Sequence, residues 1–183
     1  MKVMTNTTAS RVVASIPIRG ETSADLKAIR HVHCRAFGQD SEAWLVDALR
    51  EGGYVRVSLV ADQDGHVVGH ILFSYLSIST DAGEVAALAL VPLAVLPELQ
   101  KQGIGSALVR RGLEVCKEQG HRIIVVLGQP QFYRQFGFSS IMAARLDSQF
   151  SGKLSFMALE LVPGALYGLK GRLQYPPPFQ LWV

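Results

Sequence analysis

The chain has 183 residues, 49% hydrophobic and 18% charged, which suits one folded domain with a good core and excludes a disordered segment. A net charge of +3 and a pI of about 9.0, from Lys and Arg scattered along the chain, are too mild to argue for a nucleic-acid partner. The longest apolar run, 85–96, is too short for a membrane span and holds Pro92, and residues 1–15 lack the apolar centre of a secretory signal, so no membrane partner and a cytoplasmic location are expected.

Residues 1–14 read as a flexible leader and 15–183 as a single domain, with a core over 16–162 and a C-terminal extension over 163–183. In chain order, 16–19 predicts a short strand that Pro17 places at a sheet edge. Residues 21–25 offer an N-cap. Leu26, Ile29, His33 and Phe37 then recur at helical spacing until Gly38. Ser41 opens a second helix with Trp44, Leu45, Ala48 and Leu49 on its apolar face, closed by Gly52 and Gly53. A strand over 57–61, a turn over 62–65 and a strand over 66–77 form a hairpin. A third long strand covers 84–95, and Pro92, lacking an N–H, predicts an irregularity within it.

After a turn at 96–98, a helix runs from 105 to about 119, with Ile104, Leu108, Leu113, Val115 and Cys116 as its apolar stripe and Gly120 as its cap. The apolar run 123–127 reads as a buried parallel strand, giving one strand–helix–strand unit. A short helix covers 131–136. A polar segment follows over 145–153, then a strand over 154–161 and a last strand within 168–173. Pro176, Pro177 and Pro178 predict an extended, non-helical end. Cys34 and Cys116 sit inside helical patterns and read as small buried hydrophobes in a reducing compartment. The five histidines, His31, His33, His66, His70 and His121, show no metal-ligand spacing, so no metal is expected.

The stretch 100–106 carries the chemistry. Glycines let the backbone approach a ligand, and the free N–H groups at the start of a helix, with its dipole, favour an anion. We read Gln102, Gly103, Ile104, Gly105 and Ser106 as a pyrophosphate cradle, with Gln100 and Lys101 beside it. A nucleotide P-loop motif is absent. A dinucleotide fingerprint would need a third glycine, where Leu108 stands, and an acidic residue at the end of the next strand, which closes in Leu127, Gly128, Gln129 and Pro130. An oxidoreductase of that class fails on both counts.

Gln100, Gly103 and Gly105, preceded by Val95, Leu96 and Pro97, resemble the acetyl-coenzyme A loop of the GNAT superfamily of N-acetyltransferases, with its Arg/Gln-x-x-Gly-x-Gly/Ala pattern after a Val-x-Pro strand end. Downstream, Tyr133 and the pair Gly137 and Phe138 resemble a second segment of that family. The resemblance covers about 16–162 and is densest over 93–138. It implies a mixed α/β fold with a central mixed sheet flanked by helices. It also implies acetyl transfer from acetyl-CoA to a primary amine of a small molecule or protein, by direct attack in a ternary complex. Leu93 and Val95 would pair with the pantetheine arm, a backbone N–H near Ala94 or Val95 would meet the oxyanion, and Tyr133 would protonate the leaving thiolate. The family's strand glutamate has no counterpart: Ala89 stands there, leaving the base unassigned, with Glu42 and Asp40 as candidates. That departure keeps open a non-catalytic acyl-CoA-binding module on the same fold. Small relatives with exposed sheet edges also allow a homodimer.

Overall fold

Long runs of Val, Ile, Leu, Ala and Phe between 55 and 95 build the centre of one mixed sheet, here in a computed structural model that describes residues 16–182. The strands are β1 (Ile18–Gly20), β2 (Val55–Gln63), β3 (His66–Thr80), β4 (Gly83–Val95), β5 (Ile123–Leu127), β6 (Leu146–Asp147), β7 (Phe156–Glu160) and β8 (Gly171–Gln174). The helices are α1 (Leu26–Phe37), α2 (Ser41–Glu51), α3 (Ile104–Glu118), α4 (Pro130–Tyr133) and α5 (Pro178–Trp182). The strand order is β1-β2-β3-β4-β5-β7, and β8 joins β3 where β2 has ended. β4–β5 is parallel and β5–β7 antiparallel, so β5 is the return strand of the βαβ unit formed with α3.

Alternation along β3 splits the core into two. Leu72, Leu76 and Ile78 pack with Ile29, Leu45 and Leu49 of α1 and α2 on one face. Ile71 and Phe73 pack with Leu108, Val109 and Cys116 of α3 on the other. Cys116 is buried as expected and its thiol is pushed up to about 12 by burial, whereas Cys34 is only half-buried.

The entry to α1 is fixed by polar contacts. The Thr22 backbone N–H donates to Asp25 Oδ2 at 2.7 Å, and the Arg19 guanidinium forks onto the same carboxylate at 2.8 and 2.9 Å. Gly38, at φ +71°, ends the helix with its N–H on the Cys34 carbonyl.

A buried polar chain ties α1 to the sheet. Ser58 Oγ donates to Glu21 Oε2 at 2.5 Å, and that carboxylate also accepts from Arg50 Nε at 3.1 Å. With its one proton committed, Ser58 must accept from His70 Nε2–H at 2.8 Å. His70 Nδ1 is then an acceptor for His33 Nε2–H at 2.8 Å. His33 Nδ1 is left as a buried acceptor with no partner among the described residues.

Further sequence expectations differ from the structure. The chain end is not extended: Pro178 starts the short helix α5, because proline at a first helical position loses no bond the helix would have made. The polar segment 145–153 contains the short strand β6, paired in parallel with β8. The expected leader, 1–14, lies outside the described residues.

Candidate active site

The site begins where the sheet comes apart. β4 and β5 pair only through Leu88, Ala89 and Leu90. At the same level the β3–β4 register shifts between Ile71 and Phe73, opposite Val91 and Pro92, which is the irregularity that Pro92 predicted. Beyond Leu90, β5 continues against β7 while β4 keeps only β3. One backbone edge of β4 is therefore open.

Which groups face that edge follows from the antiparallel alternation. The Leu96 N–H bonds to the Val68 carbonyl, so Ala94, two residues back and opposite His70, also turns its N–H toward β3. Leu93 and Val95 turn theirs to the open edge. Of the two candidate oxyanion donors near the strand end, Val95 thus faces the opening and Ala94 does not. The Val95 carbonyl is already engaged: Gln100 Nε2 donates to it at 3.0 Å, tying the loop to the strand.

The loop ends in a bare helix start. Lys101 is exposed, in the left-handed region at φ +60°, and Gly103 is the N-cap of α3 at φ +89°. Among the described residues no side chain caps this helix, and its first turn holds no acidic residue. The first helical bond runs from the Ala107 N–H to the Gly103 carbonyl at 2.9 Å, which leaves the N–H groups of Ile104, Gly105 and Ser106 unspent inside the helix. A Cβ on Gly105 would make only ordinary contacts, the nearest 3.7 Å from Phe132. Protein packing alone does not require glycine there, and an approaching anion would use the space.

At the other end of the open edge lies a cavity of about 310 Å³, walled by Phe37 from α1, Glu42 from α2, Leu93 from β4, and Gly128, Phe132 and Tyr133 after β5. Tyr133 is 8% exposed, in edge contact with Phe132 and Phe138 at 5.0 and 5.7 Å between ring centres. Burial pushes its phenol up to about 12, so it remains a neutral donor across the physiological range. Gly128 makes its place: a Cβ there would run into the Tyr133 ring. The wide hollow of about 610 Å³ beside β6, β8 and α5 is larger, but no residue of β4, β5 or α3 lines it. Ala89 is buried beside Val125 and brings no carboxylate, as the sequence indicated. Asp40 is exposed, whereas Glu42 is in the cavity wall. Phe37 and Gln129, also in that wall, are residues the sequence reading did not select; Phe37 gave only a helical-repeat signal. Among the described residues no group of three or more His, Cys, Asp or Glu could hold a metal. Nor is any helix there long and apolar enough to cross a membrane.

Residues 17–141, which hold the open sheet and the uncapped, glycine-led helix start, match the family model described as an acetyltransferase (GNAT) domain. The chain belongs to the GNAT acetyltransferase family. It is 34% identical over 164 residues to the uncharacterised N-acetyltransferase YhbS of Escherichia coli (strain K12), covering 88% of this chain and 97% of YhbS. A crystal structure of Escherichia coli YhbS in complex with CoA superposes with a TM-score of 0.82 at 34% identity, covering 90% of this chain and 91% of that one. A GNAT acetyltransferase of Brucella melitensis, in complex with acetyl-CoA, gives a TM-score of 0.74 at 35% identity, covering 89% and 97%.

Proposed function

We propose that this protein moves an acetyl group from acetyl-CoA to a primary amine by direct attack in a ternary complex. The observation that carries this reading is the open edge of β4, which runs from the uncapped start of α3 to the cavity that holds Tyr133. Two relatives of the same fold, at 34% and 35% identity, bind CoA and acetyl-CoA.

The residues fit that cosubstrate. The N–H groups of Ile104, Gly105 and Ser106, with the backbone of Gln102 and Gly103, hold the pyrophosphate, and Lys101 adds a cation beside it. Gln100 positions the loop by its bond to the Val95 carbonyl. Leu93 and Val95 pair with the pantetheine arm as a neighbouring strand would, and a backbone N–H on that edge faces the developing oxyanion. Tyr133 donates the proton that the leaving sulfur takes. Its high pKa is matched to this task, because the apolar wall that raises the phenol also raises the basicity of a thiolate held against it.

Calorimetric titration with acetyl-CoA, with NAD as comparison, tests the cradle. Micromolar binding of acetyl-CoA and none of NAD is expected; no heat with acetyl-CoA sinks the reading. Tyr133→Phe should lower turnover by about 100-fold or more while the affinity for acetyl-CoA survives. Equal turnover in that variant would remove Tyr133 from the chemistry.

A further inference from the structure

The cavity beside Tyr133 has one carboxylate. Glu42 is 7% exposed, yet it lines the cavity. It sits in the first turn of α2, where the helix dipole favours an anion. Its oxygens accept from Ser41 Oγ at 2.9 Å and from Gln39 Nε2 at 3.2 and 3.3 Å. No ion pair reaches it among the described residues. Among the described residues the only other ionisable group of the wall is Tyr133, and most of the remaining lining is apolar: Phe37, Leu90, Leu93, Leu127 and Phe132.

A buried carboxylate without a counter-charge is poorly solvated, and a cation brought against it is favoured. Anions are disfavoured in the same place. The cavity, about 310 Å³, must take both the acyl end of the donor and the acceptor, so the acceptor group that enters is small.

We propose that Glu42 receives the ammonium group of the acceptor and takes its first proton, and that the acceptor is a primary amine on an apolar stem with no carboxylate next to the nitrogen. This rests on the acetyl-transfer reading above. The balance closes without a further reactant. One ammonium proton passes to Glu42, the freed nitrogen pair bonds to the thioester carbon, and the C–S bond breaks with its electrons leaving on sulfur. Sulfur takes the Tyr133 proton, the second nitrogen proton replaces it on the phenolate, and Glu42 returns its proton to water. Glu42 and Tyr133 thereby divide the two proton transfers, one at nitrogen and one at sulfur, inside one cavity.

The test measures thiol release with 2-phenylethylamine and 3-methylbutylamine, each against its carboxylated counterpart, phenylalanine or leucine. The amines should exceed the amino acids by about 100-fold in kcat/KM. Glu42→Gln should lower kcat/KM for the amines by about 100-fold or more, with the calorimetric affinity for acetyl-CoA unchanged. Its remaining rate should climb with pH in step with the free neutral amine, a dependence that a purely structural role would not produce. Glu42→Asp should recover part of the loss. Wild-type turnover of the amines with Glu42→Gln unimpaired would overturn the role of Glu42 and leave acetyl transfer standing. A preference for the amino acids, or acetyl-CoA binding with no turnover of either amine, would overturn the acceptor class. Absence of acetyl-CoA binding would remove the underlying reading as well. The substrate preference is read on the wild-type protein, so it decides even where a variant fails to fold.

Discussion

Tyr133 owes its place to a missing side chain. The backbone at Gly128 leaves the space in which the Tyr133 ring lies, and a methyl group there would overlap it. Gly128→Ala should displace the phenol from the cavity. A misplacement of this kind costs about 100-fold in turnover, while the α3 start, on a separate element, should keep its affinity for acetyl-CoA. Steady-state thiol release and calorimetry on the same preparation check both halves. Retained turnover would mean that the ring need not lie where Gly128 allows it.

Among the elements, α3 is held to the sheet by a second glycine. Gly112 faces β3 so closely that a Cβ would stand 2.5 Å from Phe73 Cε2. Gly112→Ala would gain helix propensity, worth about 1 kcal/mol, but the overpacking should outweigh it and cost about 1–3 kcal/mol in a urea unfolding experiment. A more stable variant would show that Phe73 can move aside. The helix itself was legible in the sequence, because Ile104, Leu108 and Cys116 repeat at its period and glycines mark both ends. Gly112 was not, since a glycine inside a helical pattern says nothing of the ring it will meet across the interface. The long strands were legible for a similar reason, and Pro92 announced the register shift beside it. The opening between β4 and β5 was not, because the apolar run 123–127 looks the same whether its neighbour is β4 or β7. α5 was hidden by its prolines, which start a helix as readily as they forbid one. Glu42 stood in the sequence only as one of two candidate bases beside Asp40, and its membership of the cavity wall depends on how α2 packs.

At the scale of the whole molecule, the polar chain Glu21–Ser58–His70–His33 makes folding sensitive to acid. Burial, then the nearby His70 and Arg50, hold His33 down to about 3. Burial likewise lowers His70 despite Glu21. Burial alone would raise Glu21, but hydrogen bonds with His70, Arg50 and Ser58 outweigh it and hold the carboxyl at about 2. Unfolded histidines take protons near pH 6.5 that the folded protein refuses, so stability is full above about 6.5 and falls as pH drops toward 3. Glu21 adds a loss in the same direction below about 4.5, where the unfolded carboxyl protonates and the folded one does not. Urea midpoints measured from pH 8 to pH 4 should fall steadily below 6.5, and His33→Gln should flatten that fall by up to one proton, about 1.4 kcal/mol per pH unit. A flat profile in the wild type would mean that the pair charges without penalty. The opening in the sheet carries a further consequence, for self-association. An unpaired strand edge is a template on which other chains can aggregate, and this protein keeps one at its centre. Gln100 already occupies the Val95 carbonyl on that edge. What remains around Leu93 suits a ligand that pairs over one or two amides better than an invading strand, so the slot that admits a cosubstrate is blunted against polymerisation by the residues that shape it.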